Sequence, residues 1–184
     1  MLAYVFWHWP RPGVAAESYQ SLQRAFHQAL NDAPPAGLSG SATYAISGAP
    51  WAAAGAAAYE DWYHVRSSAD LDLLEDAAIS ASRQVPHDNV AAAAAGGTAG
   101  LYKLRAGDGP IAARHAWWFA KPDGMRYPEL FAAFAPLTAG GRGALWCRQM
   151  VLGPASEFCL HTLEPVKLPA AISARHVELR QVFP

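Results

Sequence analysis

Several kinds of function are excluded by what the sequence has little of. Only two cysteines occur, Cys147 and Cys159, too few for a disulfide framework, and the cheaper reading is a pair of small buried hydrophobes in a reducing compartment. Charge of either sign is scarce and balanced, with 14 Lys and Arg against 15 Asp and Glu. No basic run is long enough to track a phosphate backbone, which argues against nucleic acid as a partner. No apolar run approaches membrane-spanning length, and the opening MLAYVFWHWPRPG lacks the charged start and cleavage site of a signal peptide. The expected location is the cytoplasm, with no membrane partner.

Motifs of familiar chemistry are also missing. There is no HExxH, no CxxC and no GxSxG, so neither a metal centre nor a nucleophilic hydrolase is expected. The GGTAG run precedes a strand and lacks the Lys and Ser/Thr of a phosphate loop. In PHDNV, Asp88 is expected to cap a short helix rather than to work with His87.

What is present is a hydrophobic, aromatic-rich chain: 184 residues, 52% hydrophobic and 11% aromatic, seven of them tryptophan. Such a composition excludes disorder and supplies one sizeable core. Residues 3–9 read as a strand ending at PRPG, and Tyr19, Leu22, Phe26 and Leu30 recur at helical spacing over residues 14–31. Strands are expected at SGSATYAIS and AAYEDWYHV, then a helix over SSADLDLLEDAAIS opened by Ser67 and Asp70, a short helix stopped by Gly96 and Gly97, and a strand at TAGLYKLRAG. This is the order of a ferredoxin-like βαββαβ unit.

The rest of the chain runs through the same order, with ARHAWWFAKPDG as strand and turn, a helix from Tyr127 to Phe134, a hairpin turning at Gly153 and Pro154, and a last strand ARHVELRQVF. Only LPAAIS stands where a second helix should be. VFWHWPRPG and AWWFAKPDG echo each other, as do the small-residue turns before YEDWY and SEFCL, which suggests an internal duplication. The expected division is residues 1–107 and 108–184, two α+β halves forming one compact domain.

Two ferredoxin-like halves in one chain resemble the dimeric α/β-barrel superfamily, which includes small cofactor-free monooxygenases of the antibiotic-biosynthesis type, EthD-like proteins and stress-responsive barrel proteins. The resemblance implies two four-stranded sheets closed into a barrel, helices outside, and ligands held within. It rests on element order rather than a motif, and fold alone does not fix function. Some members bind haem, but no haem-ligation signature stands among the seven histidines, so no cofactor is expected. The shortened helix points to one asymmetric site. With both halves in one chain, a monomer or a homodimer is expected.

Candidate site residues follow from alternation. In YEDWYHV, Glu60, Trp62 and His64 share one face of the strand, and Tyr59, Asp61 and Tyr63 the other. The first set is expected to face the cavity, where His64 is the candidate acid/base and Glu60 its orienting partner. Asp61 then needs a structural partner on the opposite side. His8, on the neighbouring strand, is expected to approach Glu60 or His64 as a second polar wall, and Arg148 to anchor a substrate carboxylate or carbonyl. The expected ligand is a small apolar or aromatic molecule, and the reaction, if any, a cofactor-independent oxidation or proton transfer. The alternative is a non-catalytic module whose tryptophans fill the barrel. A cavity of roughly 300 Å³ or more lined by these polar groups separates the two.

Overall fold

The computed structural model describes residues 1–47, 49, 51, 57–150 and 153–184. Most of the linker around GAPWAAAG, and residues 151 and 152 of the expected hairpin turn, lie outside them. Eight strands form one closed antiparallel barrel: β1 (Leu2–Pro10), β2 (Leu38–Ile46), β3 (Ala58–Val65), β4 (Ala94–Ala106), β5 (His115–Phe119), β6 (Gly143–Arg148), β7 (Phe158–Thr162) and β8 (Ala174–Phe183). The order around the barrel is β1-β3-β2-β8-β5-β7-β6-β4. Within each half the fourth strand lies beside the first, the first beside the third and the third beside the second. The two halves thus share the ferredoxin-like arrangement, and the β2–β8 and β4–β6 pairings close the cylinder.

Four helices cover the outside: α1 (Ala16–Asp32), α2 (Asp70–Ala78), α3 (Gln84–Ala93) and α4 (Tyr127–Thr138). The apolar stripe of α1 places Tyr19, Phe26 and Leu30 on the outward side chains of the sheet, including Tyr59, Tyr63 and Val65. Helix α4 does the same in the second half, packing Leu130 and Phe134 against Phe119, Leu145 and Phe158. It starts where the backbone N–H of Arg126 donates to the Glu129 carboxylate, with a proline in the first turn, and it stops before Gly140 and Gly141, both at positive φ. Between β7 and β8 the missing helix is reduced to a turn. Among the described residues no helix is long and apolar enough to cross a membrane.

Two local expectations are corrected. Asp88 does not cap α3, which begins four residues earlier at Gln84; its carboxylate pairs instead with His87 at 3.0 Å. Gly96 and Gly97 do not stop that helix but lie within β4. The reason at Gly97 is close approach: a Cβ there would collide with the Phe6 ring and sit 2.8 Å from the Trp7 carbonyl.

Inward-facing side chains fill the barrel. Trp7, Trp62, Trp118, Trp146 and Tyr102 are all essentially inaccessible to solvent and touch one another at ring-centroid distances of 5.3–6.3 Å. An eight-stranded barrel is just wide enough for its own side chains.

Candidate functional site

All eight residues of β3 are buried, since the interior takes one face and the helices the other. Glu60, Trp62 and His64 point inward. Glu60 is wholly buried and is held by two indoles: Trp7 Nε1 donates to one carboxylate oxygen and Trp62 Nε1 to the other, each at 2.9 Å. Trp7 is there because the β1–β3 register sets it directly opposite Glu60. His161, from β7, brings Nε2 to 4.0 Å from Glu60, too long for a hydrogen bond, with its ring 4.3 Å from Trp62.

Glu60 does not orient His64. Glu60 and His64 are four residues apart along the strand, about 13 Å, and the Glu60 oxygens accept from Trp7 and Trp62 instead. His64 instead stacks on Trp146 at 5.7 Å.

Burial sets the proton affinities in this interior. Desolvation pushes the Glu60 carboxyl from its ordinary 4.5 up to about 7, opposed by the two indole hydrogen bonds and assisted by the negative charge of Asp61 behind it. Burial drives His64 down to about 4. It drives His161 to about 3, with His64 adding to the effect. Near neutral pH the interior thus holds one carboxyl poised to gain or lose a proton beside two neutral imidazoles. The indole Nε1 atoms of Trp51, Trp118 and Trp146 and Nε2 of His161 are buried without a protein hydrogen-bond partner. The indole N–H groups among them are donors that a ligand oxygen satisfies.

His8 lies on the other side of the sheet. Alternation along β1 sends Trp7 inward and His8 outward, under α1, so His8 does not approach Glu60 or His64. There it supplies the partner Asp61 needs: His8 Nε2 lies 3.2 Å from one Asp61 oxygen, and His27 Nε2, from α1, lies 3.4 Å from the other. The Tyr63 hydroxyl donates to Asp61 at 3.0 Å. Tyr19 closes on His8 Nδ1 at 2.8 Å, while Ser41 and Thr43 bracket His27 at 2.7 and 2.6 Å. Burial alone would raise the Asp61 carboxyl, but the two histidines hold it well below the usual carboxylate range. This network joins α1 to the barrel wall.

Arg148 is on the interior parity at the far end of β6, yet its guanidinium donates to the carbonyls of Gly153 and Ala155, at 3.3 and 2.9 Å. Those bonds pin the connection to β7 rather than leaving an anchor free. Cys147 and Cys159 are both buried and unpaired with each other, and they face opposite ways, Cys147 toward α4 and Cys159 into the barrel.

Sequence reasoning missed Trp7 and His161. Both faces of β1 are covered, so its alternation could not choose between Trp7 and His8. His161 was legible in FCLHT, where it shares the inward face with Cys159, and the cross-strand registers make it the counterpart in the second half of Trp62.

Neither of two prominent concavities is lined by Glu60, Trp62 or His64. The larger, an open groove of about 1010 Å³, lies at the end of the barrel where β2 finishes and β3 begins. Its floor includes Ile46, Ala58, Ala113 and Leu179, which also belong to the barrel lining. Glu60 is one same-face step, about 7 Å, beyond Ala58. Half-buried Trp51 packs edge-on against Trp7 and Trp118 at 5.7 and 5.2 Å.

No family model matches the chain, and no curated protein matches it in sequence. Solved structures do match in shape. A candidate monooxygenase from Fusobacterium nucleatum subsp. nucleatum superposes with a TM-score of 0.62 over 98% of this chain and 92% of its own, at 9% identity. An anthrone oxidase-like protein superposes with a TM-score of 0.53 over 98% and 90%, at 10% identity. At such identity the likeness is one of fold, and the fold is that of the dimeric α/β barrels, with both halves supplied by a single chain.

Proposed function

We propose that this protein binds a small, largely apolar aromatic molecule in the groove floored by Ile46 and Ala58 at the end of its barrel, one same-face step from Glu60, and oxidises it in a monooxygenase-like reaction. One observation carries the reading: a fully buried carboxyl, raised to about 7 and held between two indole N–H groups, in an otherwise aromatic interior. A carboxylate at that pKa is suited to remove a proton near neutral pH. From an activated aromatic CH₂ it would leave an electron-rich carbanion. Dioxygen is the oxidant: addition of O₂ to that carbon, followed by loss of water, converts CH₂ and O₂ into C=O and H₂O. The unpartnered indole and imidazole nitrogens would receive the substrate oxygen. His64 and His161, kept neutral, are the candidates to relay the proton.

The neighbours' names favour this chemistry over a simple binding role and suggest anthrone as a first substrate. The test is oxygen uptake with anthrone and a panel of enolisable aromatic ketones and phenols. Substitution Glu60→Gln should cut turnover by about 10²–10⁴-fold, the usual contribution of a positioned base. Uptake that is unchanged in that variant would remove Glu60 from the mechanism.

A second reading has its own support. Trp7, Trp62, Trp118 and Trp146 leave the interior packed, and neither concavity described above is lined by Glu60, Trp62 or His64. On this view the barrel is a self-filled scaffold acting through its surface. It predicts that no aromatic compound raises the melting temperature.

A further inference from the structure

Four of the seven histidines, His8, His27, His64 and His161, are buried. Of the remaining three, two come together on the outer wall of the barrel. His115 on β5 and His176 on β8 project outward from adjacent antiparallel strands, and His115 Nδ1 lies 3.0 Å from His176 Nε2. Their ring centroids are 5.1 Å apart. The geometry is held from both sides: the strand ladder sets the separation, and Trp117 stacks on His176 at 4.2 Å while its own Nε1 is tied to Thr162 at 3.2 Å. His176 is exposed and His115 half-buried, so water and ions reach the pair.

We propose that His115 and His176 form a two-imidazole site for a divalent transition-metal ion that favours nitrogen ligands, such as Ni²⁺ or Cu²⁺. Metal–imidazole bonds of about 2.0–2.1 Å meeting at a right angle place the two nitrogens about 2.9 Å apart. The observed 3.0 Å matches that separation, so binding needs loss of the proton shared between the rings and a swing of each ring that turns both nitrogens onto one ion. Imidazole is a ligand that Ni²⁺ and Cu²⁺ accept readily, and right-angled coordination suits both. Among the described residues no three of His, Cys, Asp and Glu converge, so water fills the rest of the shell. Glu178, directly across from His115 on the same outward face, is the acidic side chain placed to favour a cation there. The site is on the opposite side of the wall from Glu60 and is independent of the proposed oxidation.

The probe is Ni²⁺, titrated calorimetrically into the full chain without a histidine tag. One ion should bind per chain. Loss of an outer-shell partner alone costs about 10–100-fold in metal affinity, so removing either ligand by His115→Ala or His176→Ala should weaken binding at least about tenfold. His87→Ala, at the third solvent-reaching histidine, should leave affinity within about twofold, because that ring has no second imidazole beside it. Paramagnetic broadening by Ni²⁺ of the His115 and His176 ring resonances in the unsubstituted protein provides a readout that needs no variant to fold. Absence of saturable binding, binding that survives either substitution, or broadening centred on His87 would each overturn the proposal.

Discussion

At the residue scale, β3 carries two adjacent carboxylates with opposite fates. Glu60 faces indoles and is pushed up to about 7, whereas Asp61, one residue on, faces two histidines and is held low. The shift at Glu60 corresponds to roughly 3 kcal/mol. Its sign follows from the folded value exceeding the unfolded one: this contribution to stability is complete below about pH 4.5 and is lost as pH rises through 7. Asp61 behaves in the reverse sense, stabilising above its ordinary pKa and ceasing to as pH falls through its lowered one. His64 and His161, both depressed, also cost stability as pH falls below 6.5 toward 4 and 3. Urea midpoints measured across pH should therefore drop on the acid side, and the decline between about pH 4.5 and 7 should disappear in Glu60→Gln. Removing Asp61 leaves two buried histidines without their carboxylate; Asp61→Ala should cost about 3–5 kcal/mol by chemical denaturation. A cost below about 1 kcal/mol would show that the network does not hold α1 to the sheet.

How much of the site was legible depends on which face of which element is covered. The alternation of YEDWYHV correctly separates Glu60, Trp62 and His64 from Asp61, because a strand has a fixed period of two. It does not say what meets them. Trp7 and His8 on β1 are both buried on opposite faces, so the choice between them as the neighbour of Glu60 was set by register, which is a tertiary property. His27 left a faint trace: Gln20, Gln23 and His27 lie at helical spacing within the apolar stripe of α1, and polar residues in such a stripe require buried partners. Arg148 went astray because its partners are loop carbonyls, which no side-chain pattern reveals.

At the element scale, strand and helix order was readable from periodicity, and the largest misplacement was at α3, where Gly96 and Gly97 look like a helix stop but serve the contact with β1. Ala15, the N-cap residue before helix α1, has extended backbone and provides no side-chain cap. Ala15→Ser should stabilise the protein by about 1 kcal/mol in thermal or urea unfolding, and no gain would mean that the first turn is satisfied by other means. Gly143, where α4 meets the barrel, is a tight point: a Cβ there would sit 2.6 Å from the Leu137 carbonyl and 2.9 Å from that of His161. Because both obstacles are backbone, Gly143→Ala should destabilise by about 1–3 kcal/mol.

At the scale of the whole molecule, the β2–β8 and β4–β6 pairings use every edge of both sheets, so the barrel needs no second chain to close. Sedimentation should accordingly find a monomer, and a tight dimer would require a surface other than a strand edge. The interior is asymmetric as well as closed: the registers set Cys159 in the second half where Glu60 stands in the first, so the chain carries a single inward carboxylate at that level. Trp51 is the half-buried member of the aromatic filling, and Trp51→Ala is the truncation that opens the interior at least cost. An apolar void of about 150 Å³ is enough to bind benzene; this variant should gain affinity for small aromatics, read by quenching of the remaining tryptophans.

The proposed reaction requires Glu60 to be a base tuned to neutral pH within the barrel. Its most direct test is the titration of the Glu60 carboxyl carbon by NMR in protein labelled with [¹³C]glutamate, the resonance being assigned by its loss in Glu60→Gln. A midpoint near 7 is expected. A midpoint near the ordinary 4.5 would contradict it.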